Sequence, residues 1–127
     1  MSVHLDTEQD AGCVVTISGD ADLYAAANVE RELVRLADKR HGSIVVDLTE
    51  ATFIDSTMLR VLLNVSKRLR PGGGDLLLVC HEHNIRKIFE ITLLDRVFTI
   101  FDSRDAALEY LGATEQGPSS SSTASEV

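Results

Sequence analysis

Asp55-Ser56-Thr57 is the segment of this 127-residue chain best placed to do chemistry. The stretch Val46 to Ile54 reads as a buried strand followed by a short acidic loop, and the triplet stands where a helical pattern begins. A hydroxyl at that point ordinarily caps the helix, its oxygen accepting a hydrogen bond from a backbone N–H two or three residues on. One such residue suffices for a cap, and here two hydroxyls follow an acid. A helix N-terminus after a parallel strand is also where open α/β folds place ligand and partner contacts. Phe53 and Ile54 are expected to pack and hold the loop firm, leaving a fixed, solvent-facing hydroxyl open to modification by an incoming enzyme. Nucleophilic catalysis by Ser56 would need a base in reach and an oxyanion site. No histidine lies in its loop or in Gly19–Asp22, so the chain is not expected to be an enzyme.

Four other constellations compete. Cys80-His81-Glu82-His83 carries metal-ligand types, but adjacent ligands on one loop rarely close a tetrahedral site unaided, so no metal is expected. Gly72-Gly73-Gly74 leaves a helix and enters a strand, the reverse of a phosphate-binding loop, and it lacks the Gly-Lys-Ser/Thr element. It reads as a helix stop, and neither a nucleotide nor any other cofactor is expected. Cys13 and Cys80 are the only cysteines, each in an apolar run. They read as buried thiols, and a redox pair would require neighbouring strands. Arg60, Lys67, Arg68 and Arg70 make one helix basic; three lie in its last turn, where cations suit the helix dipole.

The elements around Ser56 follow from periodicity. Val3, Leu5 and Thr7 alternate with polar residues, Gln9 to Gly12 is turn chemistry, and Cys13 to Ser18 reads as a second strand broken by Gly19. Val29, Leu33, Leu36 and Ala37 form one helical stripe. Ile44 to Val46 with Leu48 is a strand buried on both faces. A helix from about Thr57 to Arg70 follows, then a strand at Leu76 to Cys80. A third helix, Asn84 to Leu94, turns Ile85, Ile88, Phe89 and Ile91 to its apolar side. A short strand, Phe98 to Phe101, precedes a last helix capped by Asp102 or Ser103 and closed by Gly112. The order ββαβαβαβα makes an α/β domain over 1–112, with a mixed sheet of about five strands and about four helices. Residues 113–127, with the run Ser119 to Ser122, read as a disordered Ser-rich tail.

Composition closes off several classes. Twelve Lys and Arg against 20 Asp and Glu give a net charge of −8, which argues against nucleic-acid binding by phosphate neutralisation. No apolar run reaches the length of a membrane span and no signal peptide is evident, so a cytoplasmic protein without membrane partners is expected.

Over residues 1–112 the chain resembles STAS domains of the anti-sigma factor antagonist type. The resemblance rests on Gly19-Asp20-Ala21-Asp22, similar to the turn before the family's first helix, and on Phe53-Ile54-Asp55-Ser56-Thr57, similar to its phosphorylation loop. The glycine-rich break before Asp75 to Cys80, and Ile85 to Thr92 followed by Leu94, Val97 and Phe98, match its spacing. Two positions depart from the family: Met58 and Leu93 stand where it usually has glycine.

The resemblance implies a bacterial partner-switching phosphoprotein in transcription regulation and stress response. Unphosphorylated, it would bind an anti-sigma factor that is also a serine kinase and so release a sigma factor. Phosphorylation at Ser56, with Thr57 as the fallback, would end binding, and a serine phosphatase would restore it. The implied contact residues are Asp20, Ala21, Asp22, Leu23, Asp55, Ser56, Thr57, Met58 and Leu59, and a monomer or weak dimer is expected. The alternative is a constitutive scaffold or transport-associated STAS module using the same face.

Overall fold

In the computed structural model, residues 2–8, 12–21, 23–40 and 42–115 are described. Strands β1 (Ser2–Glu8) and β2 (Gly12–Ala21) lead into helix α1 (Leu23–Arg40), then β3 (Ser43–Asp47), β4 (Ala51–Ile54) and α2 (Ser56–Leu69). β5 (Leu76–Val79), α3 (His83–Ile91), β6 (Thr99–Phe101) and α4 (Arg104–Glu115) complete the order, with 3-10 turns at Arg70–Gly72 and Leu94–Arg96. The α/β architecture and mixed sheet agree with the expectation. β1 runs antiparallel to β2, and β2, β3, β5 and β6 lie side by side in parallel.

Alternation along each strand splits the core into two layers. Cys13, Val15, Ile17, Ile44, Val46, Leu76 and Leu78 face α1, α2 and α3. Val14, Val45, Leu77 and Val79 face the other way, onto Ala107 and Leu111 of α4. Strands covered on both faces carry continuous apolar runs, which is why Ile44–Val46 and Leu76–Val79 show no polar alternation. The stripe Val29, Leu33, Leu36 and Ala37 is buried as its spacing requires.

Several local expectations change. The stretch before Asp55 expected to be a loop contains a sixth strand: β4 pairs in parallel with the far end of β2. Gly19 does not end β2. At φ 84 it bends the strand, and the register slips between Gly19 and Asp20, where β4 begins to pair. Only glycine takes that dihedral without a Cβ penalty. Ile91 is 71% exposed rather than part of the apolar side, because α3 ends there and Leu93 turns the chain at φ 63. α4 starts from Ser103, whose Oγ accepts the Ala106 N–H at 3.1 Å, and passes Gly112 to reach Glu115. Gln9, Asp10, Ala11 and Asp22, and residues 116–127 of the expected tail, lie outside the described residues.

The glycine-rich break is a helix stop. Gly73 takes a left-handed φ of 87 and Gly74 donates to the Leu69 carbonyl at 3.2 Å. A Cβ at Gly74 would fall 2.5 Å from the Gly42 carbonyl oxygen, so only glycine fits this crossing of two chains.

Candidate functional site

The path to Ser56 starts at a buried carboxylate. Asp47, at the end of β3, is 6% exposed. Its Oδ1 accepts the Thr49 N–H at 2.9 Å and the Thr49 hydroxyl, which sets the turn from β3 into β4. Its Oδ2 accepts from Arg104 Nε at 3.0 Å, and Arg104 also donates to Thr16 Oγ1 at 2.8 Å. One residue of α4 thereby ties β2 and β3 together beneath the turn. Asp47 is buried while the Arg104 side chain stays about one-third exposed, so removing Arg104 would leave a buried carboxylate short of a partner at a cost below the roughly 3–5 kcal/mol of a fully buried pair.

β4 then carries the chain to the helix. Ile54 is buried at its end, while Thr52 and Phe53 face outward. Phe53, expected to pack, is 48% exposed two residues before Asp55 and adds an apolar surface that the sequence reading did not place there.

Asp55, in extended conformation, is the N-cap of α2; its Oδ1 accepts the Met58 N–H at 3.1 Å. The cap is therefore the acid and not Ser56. Ser56 becomes the first helical residue, exposed, and its hydroxyl makes no hydrogen bond to a described residue. No base is in place among the described residues to take its proton. Thr57 is half-buried and lines a groove of about 220 Å³ between α1 and α2, with Ala26, Glu30, Arg60 and Asn64. The two hydroxyls thus differ in access, and Ser56 is the more open.

The remaining site residues divide. Asp20 and Ala21 lie at the end of β2, opposite Phe53 and Ile54 in register, and Leu23 opens α1. The backbone thus brings the Gly19–Ala21 segment beside the strand that delivers Ser56; Asp22 lies outside the described residues. Met58 and Leu59 are corrections. They are 0% and 6% exposed and belong to the core, because helix phase sets them above Leu62, Val65 and Leu69. They support the face from beneath, Met58 presenting no surface to a partner and Leu59 very little.

The competing constellations have structural work. Glu82 caps α3 by accepting the Ile85 N–H at 2.9 Å, and Cys80 Sγ lies 3.8 Å from the Glu82 carbonyl. Burial pushes the Cys80 thiol up, which disfavours the thiolate a metal would need. No group of three potential ligands occurs among the described residues. Cys13 pairs with Ile44 and Ile44 with Leu76, so Cys80 lies two strands across and four residues along. Two strand spacings alone are about 9–10 Å, too far for a disulfide.

The STAS domain family profile matches residues 4–107. BtrV of Bordetella bronchiseptica, provisionally named an anti-sigma factor antagonist, is 34% identical over 98 residues, spanning 77% of this chain and 84% of that protein. The crystal structure of an anti-sigma factor antagonist from Mycobacterium paratuberculosis matches with a TM-score of 0.76 at 25% identity, covering 87% of this chain and 92% of that one. The anti-sigma factor antagonist SpoIIAA of Bacillus shares the fold at 16% identity in both its unphosphorylated and phosphorylated structures. Its TM-score is 0.69 in each, over 87% of this chain and 97% and 99% of those. The chain belongs to the STAS domain family, in its anti-sigma factor antagonist group.

Proposed function

We propose that this domain is a phosphorylation-controlled binding module: unmodified, it docks an anti-sigma factor serine kinase and so frees a sigma factor, and phosphate on Ser56 ends the docking. The observation that carries the reading is the Ser56 hydroxyl, exposed on the first turn of α2 and released from capping duty by Asp55. In the transfer, Ser56 Oγ forms a bond to the γ-phosphorus of a nucleoside triphosphate, the bond to the bridging oxygen breaks, and the hydroxyl proton leaves to a base on the kinase. A phosphatase reverses the modification by hydrolysis. The domain is substrate and ligand, not enzyme, and its place is the bacterial cytoplasm. Among the described residues no helix is long and apolar enough to cross a membrane.

Physics favours a surface switch over a refolding switch. Phosphoserine carries about −1.5 to −2 charges, and a helix N-terminus tolerates an anion through its dipole and free N–H groups. The unphosphorylated and phosphorylated SpoIIAA structures match this fold equally well, in line with that tolerance. Beside Asp55 and Phe53, the added dianion raises the cost of docking any acidic or apolar partner surface. A loss of about 3 kcal/mol is roughly a hundredfold in affinity.

Affinity purification of the tagged chain from its own cytoplasm tests the reading. The kinase should accompany the unaltered protein and Ser56→Ala but not Ser56→Asp, and mass spectrometry should find phosphate on Ser56. Undiminished binding by Ser56→Asp would instead identify a constitutive scaffold.

A further inference from the structure

Resting on the Ser56 switch above, we propose that Arg60 is a built-in clamp for the phosphate, so that one modification both adds a dianion and withdraws a cation from the docking face. Arg60 stands four residues after Ser56 and three after Thr57 on α2. Side chains at that spacing are neighbours, with Cβ atoms about 5–6 Å apart. Helical side chains lean toward the N-terminus of their helix, so a long residue one turn on reaches back over the first turn.

The guanidinium is available. Arg60 is exposed and makes no hydrogen bond or ion pair to a described residue. Farther along, Arg68 is held by Asp38 of α1, and Arg70 stands 3.7 Å from Asp75. The backbone N–H groups of Ser56 and Thr57 also have no partner among the described residues, since the Asp55 carboxylate takes the Met58 N–H. A phosphate on Ser56 Oγ therefore finds a fork of guanidinium donors and free amides within one turn. Guanidinium and phosphate match in a two-bond, charge-assisted arrangement that lysine cannot reproduce. Two anions oppose it. Asp55 precedes the site, and Glu30 of α1 lines the same groove as Arg60 without forming an ion pair with it. The side chain of Asp20 lies outside the described residues. Asp55 and Glu30 stand unchanged in every variant compared, so the contribution of Arg60 can be isolated. Before modification the same guanidinium is free to meet an acidic group on the partner; afterwards it is engaged.

The test places phosphoserine at position 56 of the full chain by genetic encoding and follows its phosphorus resonance against pH. In the unaltered sequence the second ionisation should lie below that in Arg60→Gln by about half a unit or more, because a nearby cation favours the dianion. Arg60→Lys should recover part of the difference. Equal values in the unaltered and Arg60→Gln proteins would overturn the clamp. A second readout needs no variant: the Arg60 Nε–H resonance should move on phosphoserine incorporation while that of Arg68 stays, and an unmoved Arg60 would equally overturn it. Neither measurement uses a kinase or a partner. Failure of the clamp would leave the switch standing, and absence of Ser56 phosphorylation in cells would defeat the switch without touching these results.

Discussion

Met58 and Leu93 replace the same residue type, a glycine usual in the family, in two regions that treat the replacement oppositely. Met58 sits in the first turn of α2, fully buried, with its side chain among the helices and sheet of the larger core layer. Leu93 sits after α3 at φ 63, 57% exposed, between Ile91 and Val97, which are also exposed. At the first position the larger side chain gains packing and needs no unusual backbone. At the second it keeps a backbone shape that suits glycine and packs little. A glycine position in a family thus has two separable causes, space and dihedral, and this chain has relaxed the first while retaining the second.

Returning each residue to glycine should give effects of opposite sign, the larger at Met58. Met58→Gly removes a buried side chain, worth about 2–5 kcal/mol for truncation to alanine, and adds about 1 kcal/mol for glycine in a helix. Urea unfolding should show Met58→Ala losing most of this, with Met58→Gly lower again. A loss under about 1 kcal/mol for Met58→Ala would mean that the thioether is not packed in the core, and the contrast would collapse.

The cap supplies the next effect. Asp55→Ala should cost about 1 kcal/mol, within the usual range for a lost N-cap, while Asp55→Asn should cost a few tenths because the amide oxygen still accepts the Met58 N–H. The same pair separates structure from the switch. Asp55→Asn keeps the helix start and removes a negative charge beside Ser56, so partner affinity should change more than melting temperature. Equal stability of Asp55→Ala and the unaltered protein would return the capping role to Ser56.

What could be read from the sequence follows the range of the forces involved. The stripe of α1 repeats a helical period and β3 and β5 are unbroken apolar runs, and the burial of all three followed from these local patterns. The phase of α2 was also present: Met58 lies four and seven residues before Leu62 and Val65, both buried. β4 was hidden because four residues beside the polar Thr49-Glu50 turn carry little periodicity, and the pairing that makes them a strand comes from the distant end of β2. Ile91 misled because the 3.6-residue stripe continues past the point where the helix stops. At the site, residue types located Ser56 correctly as an exposed hydroxyl at the start of α2, but not which neighbour caps the helix. That depends on one side-chain hydrogen bond, from the Met58 N–H to Asp55, available to either Asp55 or Ser56 in sequence terms.

The smallest effect is the most diagnostic, because it runs against the usual direction of mutation. A non-glycine residue in the left-handed region costs roughly 1–2 kcal/mol, and glycine returns about 0.5–1 of that through the greater freedom of its unfolded chain. Leu93→Gly should therefore raise stability by about 0.5–1 kcal/mol, since an exposed side chain forfeits little burial. Leu93→Ala keeps the strained dihedral and loses only surface, so it should be neutral or slightly destabilising. If both substitutions destabilise equally, the leucine contributes contacts worth more than the strain. Leu93→Gly should also leave binding of the Ser56 partner unchanged, because Leu93 follows α3 and Ser56 opens α2. A loss of that binding would place the exposed Ile91–Val97 surface within the same docking face and join the two regions that the contrast holds apart.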